Sequence, residues 1–134
     1  MITTHSALIY AMVLSAAADG SVDDEELETI SEIINVLPIF QDFEIGNFGQ
    51  IAGSAIDLLS EADGLDAAVD QIKRTLPDTL GPTAYALACD VVAADGTATQ
   101  EELRFLEILR HELNVDRLTA AAIERGSAAR YARP

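Results

Sequence analysis

At 134 residues the chain has the size of one domain and can bury a core without disulfide or metal staples. Its 23 acidic residues against 8 basic give a net charge of −15, which argues against nucleic acid and anionic membrane surfaces as partners and favours cations or a basic protein. Apolar residues make up 49% but aromatics only 5%, and the 22 alanines, with Leu and Ile, point to close-packed helices rather than an aromatic core.

Residues 1–5 lack the charged start and cleavage site of a signal peptide, and no apolar run has the length of a membrane span. Cys89 is alone, lies in the apolar run 84–89, and reads as a buried, inert thiol. The expectation is a cytoplasmic protein with no membrane insertion.

The first helix is expected from Ser6 to Ala18, with Leu8, Ile9, Met12, Val13 and Ala16 at helical spacing. Asp19-Gly20 breaks it. Ser21 is the candidate N-cap of the next helix, and Asp23, Asp24 and Glu25 suit its positive end. That helix puts Leu27, Ile30, Ile33 and Leu37 on one face and stops at Pro38. Phe40, Phe43 and Phe48 follow in an irregular frame, as rings that plug the core. Further helices are expected over about 50–62, 65–76, 83–94, 99–113 and 117–125, separated by Asp63-Gly64, the bend 77–82 and Asp95-Gly96. The tail 126–134 reads as frayed, and no segment alternates as a strand does. The fold class is therefore all-α, a single domain over residues 1–134 built as a compact bundle of about seven helices.

The sequence repeats itself. Ala17-Ala18-Asp19-Gly20 recurs as Ala93-Ala94-Asp95-Gly96, an offset of 76. The same offset carries Glu25, Glu26 and Leu27 onto Glu101, Glu102 and Leu103, and the apolar face Leu27, Ile30, Ile33, Leu37 onto Leu103, Leu106, Leu109, Leu113. Eight of the 21 positions from Ala17 to Leu37 are identical. The unit is helix, Asp-Gly turn, helix, occurring twice, and two copies can pack about a local two-fold axis.

In each copy the turn folds an Asp back toward a Glu seven residues on. Asp19, Glu26, Asp95 and Glu102 are thus the candidate metal ligands, and hard oxygen donors suit Ca²⁺, Mg²⁺ or Mn²⁺. The pattern matches only the second half of an EF-hand loop. Where the first half needs acids, the chain has Ser15 and Ala17, or Val91 and Ala93, so a normal EF-hand is excluded. Each copy singly also has an ordinary explanation, since Asp-Gly is a common turn and a Glu in the first helical turns answers the helix dipole.

The Ala-Asp-Gly…Glu-Glu-Leu repeat, Leu76-Pro77-Asp78 and the closing Leu113-Asn114-Val115-Asp116 resemble the tellurite-resistance TerB family over about residues 5–125. The same domain type occurs in certain membrane-anchored J-domain co-chaperones. The resemblance implies an all-helical bundle, divalent-metal binding in some members and no established enzymatic activity. Asp19, Glu26, Asp95 and Glu102 match the acidic motif, although Gln100 stands where the first copy has Asp24, and Lys73 is the only lysine.

Elsewhere the chain shows no phosphate loop, cysteine pair or nucleophile elbow, and Ser15 and Ser21 have no evident base. His111 near a helix end suits the dipole, and His5 at the start carries no message. Arg125, Arg130 and Arg133 form a basic tail, either solvated or docked on the acidic body. The reading is a non-enzymatic TerB-like domain that binds a divalent cation or another protein in a stress response. The alternative is a metal-free protein–protein interaction module.

Overall fold

A computed structural model describes residues 2–134 as seven α-helices joined by short turns, with no strand among those residues. The first helix, α1 (Thr4–Ala16), starts where Thr3 is extended and its hydroxyl accepts the Ser6 N–H at 3.1 Å. Eleven of its thirteen residues are buried, so α1 is the central rod rather than an amphipathic surface helix. Ser15, at its fully buried end, donates to the Ala11 and Met12 carbonyls and leaves nothing unpaired.

A 3₁₀ turn, Ala17–Asp19, ends α1 and Gly20 closes it at φ 110°, donating to the Ala17 carbonyl. Helix α2 (Asp24–Val36) follows. The design then recurs. Helix α5 (Gly81–Ala94) ends at Gly96, φ 87°, whose N–H reaches the Ala93 carbonyl, and α6 (Gln100–Glu112) follows. The repeat read from the sequence is thus two helix–turn–helix units with the same left-handed glycine.

Between the copies lie α3 (Phe48–Leu59) and α4 (Gly64–Thr75), and α7 (Arg117–Arg130) closes the chain. The packing follows a two-fold pattern. Helix α1 packs most extensively against α5, α3 lies on α1 as α7 lies on α5, the end of α1 meets α6, and α2 meets α5. Each copy therefore lays its second helix across the other copy's first.

Several boundaries and faces differ from the sequence expectation. Asp23, not Ser21, caps α2, because Asp23 has the extended backbone (φ −92°, ψ 171°) that aims its carboxylate at the Glu26 N–H. Asp63-Gly64 opens α4 instead of merely ending α3. Asp63 is left-handed (φ 57°), and a Cβ on Gly64 would sit 1.8 Å from the Leu58 carbonyl oxygen. The core-facing stripes are Ile30, Ile33 and Ile34 on α2, and Phe105, Leu106 and Leu109 on α6. Leu27 is half-buried and Leu103 is 48% exposed, so the expected face begins one turn too early.

Residues 37–47 form two 3₁₀ turns, Pro38–Phe40 and Ile45–Asn47. Phe40 is buried, and Phe43 and Phe48 pack against the core from partly buried positions. His5 is part of this plug. Its ring lies 5.5 Å from that of Phe40 and 5.4 Å from that of Phe43, and its Nε2 is 2.8 Å from the Ile39 carbonyl oxygen. The tail is ordered too. Helix α7 runs to Arg130 because Ser127 is buried against α5, donating to Asp90 at 2.5 Å, while Arg130 pairs with Asp90 at 2.7 Å.

Candidate metal site at the repeat seam

The two candidate glutamates occupy the same local device. In α2, the Asp23 carboxylate accepts the Glu26 N–H at 2.8 Å and Glu26 accepts the Asp23 N–H at 3.1 Å. In α6, the Thr99 hydroxyl accepts the Glu102 N–H at 3.1 Å and Glu102 accepts the Thr99 N–H at 2.8 Å. Both are capping boxes, each satisfying two N–H groups that a helix start leaves without partners. The signal was present in the sequence as Asp23-x-x-Glu26 and Thr99-x-x-Glu102, and it explains why the second Glu of each pair repeats. Glu102 is 2% exposed.

The aspartates sit at the turns. Asp19 accepts the Ser21 N–H through a long 3.5 Å contact, and Asp95 is the C-cap residue of α5. Because α2 crosses α5, Asp95 of the second copy shares a shallow groove with Asp23, Glu25 and Glu26 of the first. The carboxyl of Glu26 is raised above the ordinary carboxylate range, mainly by burial and further by the charges of Asp23, Asp19 and Asp95, against a lowering by the Asp23 N–H. The charges of Asp19, from the same copy, and Asp95, from across the seam, thus both act on Glu26. Of the four candidates only Glu26 and Asp95 line that groove; Asp19 and Glu102 do not. Among the described residues, no group of three or more His, Cys, Asp and Glu is gathered tightly enough to cage an ion. The donor set therefore does not form an all-protein cage.

A cation of the chain's own already borders this groove. Arg133 lines it, donates to the Ala94 carbonyl at 3.2 Å, and passes so close to Gly96 that a Cβ there would lie 2.8 Å from the guanidinium. Arg130 and Arg133 thus dock on the body, as one of the two sequence readings had it, whereas Arg125 is exposed.

A second signal lies in charge position. Residues 1–72 carry 14 acids and no Lys or Arg, whereas residues 73–134 carry 9 acids and 8 bases. The acidity that the whole-chain total spreads evenly is concentrated in the first copy and its flanking helices.

The remaining reactive groups are quiet. Burial pushes the Cys89 thiol up to about 12, with partial relief from the Tyr85 hydroxyl, so no thiolate forms near neutrality. Tyr85 is raised as well, by burial and by donating to Glu124 at 2.6 Å.

The sequence model described as Tellurite resistance protein TerB matches residues 5–125. The chain belongs to the TerB family. Searches of curated proteins and of solved structures gave no match. In this TerB domain the family match covers both copies, the inter-copy helices and most of α7, up to Arg125. No helix among the described residues is long and apolar enough to cross a membrane.

Proposed function

We propose that this TerB-family chain is a non-catalytic helical domain that takes a hydrated divalent cation at the seam between its two copies, within a tellurite- or stress-linked response. The carrying observation is the electrostatic crowding of Asp19, Asp23 and Asp95 around Glu26. Like charges brought together by the fold cost stability, and a divalent ion relieves that cost. Glu26 and Asp95 would hold the ion, with the charge of Asp19 nearby and water completing its shell. Glu102 takes no part, because its side chain is buried and lies outside the seam groove. Affinity in the range of about 10⁻⁴–10⁻³ M is in keeping with few protein ligands. The inert Cys89 and the satisfied Ser15 support a non-catalytic role, and an unpaired cysteine accords with a cytoplasmic setting.

The test is thermal melting of chelator-treated protein with Ca²⁺, Mg²⁺ or Mn²⁺, against NaCl of matched ionic strength. At ten times Kd the ion contributes about 1.4 kcal/mol, which raises Tm by a few degrees. Glu26→Gln with Asp95→Asn should abolish the rise. A Tm that follows ionic strength alone, whichever ion is added, removes the cation and leaves the metal-free interaction module as the reading.

A further inference from the structure

The repeat builds two related grooves, and they have diverged in chemistry. One is the acidic seam just described. Its counterpart lies where the second copy's α6 crosses the end of α1, and it is a groove of about 470 Å³ with a mainly apolar lining that includes Val22, Ile56, Leu59, Leu65, Phe105 and Ile108. The kinship is visible by position. Glu25, Thr29 and Ala94 line the first groove, and their equivalents at the offset of 76, Glu101, Phe105 and Ala18, line the second. Where α2 has Glu28, Thr29 and Glu32, α6 has Arg104, Phe105 and Ile108, all three on the groove wall. Thr29 and Glu32 of one copy are thus answered by the apolar Phe105 and Ile108 of the other, Glu28 by Arg104, and Ile56 on the facing wall is left exposed.

The surroundings specify the occupant. Glu101 lines the groove, and exposed Asp57, Glu61 and Asp63 flank its α3–α4 wall in a stretch of chain with no Lys or Arg before residue 73. Arg104 is the one basic residue on the lining. A second copy of this chain is disfavoured by its own net charge of −15. We infer that this groove docks a basic amphipathic helix of a partner protein, with apolar residues at i, i+3, i+4 and i+7 in the groove and Lys or Arg on its flanks. The inference is independent of the cation reading, because it uses the other groove and different residues.

The probe is a synthetic Leu/Lys helix with Leu at those spacings, titrated into the isotope-labelled full chain and followed by backbone amide shifts. A twin with Glu in place of every Lys is the control. The Lys helix should shift amides around Val22, Ile56, Leu65 and Ile108, and the Glu twin should not bind. Ile108→Glu and, separately, Ile56→Glu should weaken binding about tenfold or more, each checked for unchanged helicity. Both substitutions add negative charge, so simple attraction between opposite charges would tighten. Binding that is unchanged or tighter in a folded variant, or wild-type shifts spread over α2 and the acidic seam, overturns the proposal. So does sedimentation showing the chain alone to be a dimer with these amides at its interface.

Discussion

A glutamate at the third position of a helix has two oxygens, and in both copies the helix start engages one of them. The spacing Asp23-x-x-Glu26 and Thr99-x-x-Glu102 already marked both glutamates as caps, but a cap leaves one oxygen over, so the spacing alone does not decide whether the same side chain also serves as a ligand. Glu26→Gln keeps an acceptor for the Asp23 N–H and removes the crowded charge, so it should match or exceed the wild type in stability at neutral pH. The sign follows from the raised carboxyl. Folded Glu26 holds its proton to higher pH than the unfolded chain does, so its contribution falls as pH rises through the raised range. Melting curves from acid to neutral pH should show that decline in the wild type and a flatter profile in the variant. Leu103 gives a similar lesson about burial. Period alone put it in the core, but it lines an open groove between α6 and α7 that leaves it 48% exposed, against 0% for Leu109. Leu109→Ala should cost about 2–5 kcal/mol and Leu103→Ala less than about 1 kcal/mol in denaturant titration.

At the level of elements, all seven helices were legible from spacing, glycine and proline, with ends displaced by a few residues. What the sequence hid was the far end of α7, because an Ala- and Arg-rich tail looks solvated until its partner is known. That partner is Asp90, on α5, which receives Ser127 and Arg130 together. The buried hydroxyl matters more than the ion pair, since Arg130 is largely in solvent. Asp90→Ala should therefore cost about 1–3 kcal/mol, by taking from the buried Ser127 hydroxyl the carboxylate it donates to. Arg130→Ala should cost at most about 1 kcal/mol, and double-mutant melting curves separate the two. The same pattern of concealment applies to the grooves. Their residues come from three or four segments apiece, and only the crossing of one copy over the other brings those segments together.

For the molecule as a whole, the repeat sets the architecture and the later divergence of its copies sets the chemistry. One seam is acidic and bordered by an arginine of the tail, and the other is apolar with acids around it. Positive charge is confined to the part of the chain from Lys73 onward. That confinement has a consequence at the bench. Trypsin cuts only after Lys and Arg, so residues 1–72 present it with no cleavable bond, folded or not. Survival of α1, α2 and α3 in a tryptic digest thus reports composition and carries no information about stability. A protease specific for glutamate finds Glu25, Glu26, Glu28 and Glu32 along α2, and it is the enzyme whose digestion pattern would register local opening of the first copy, with or without a cation at the seam.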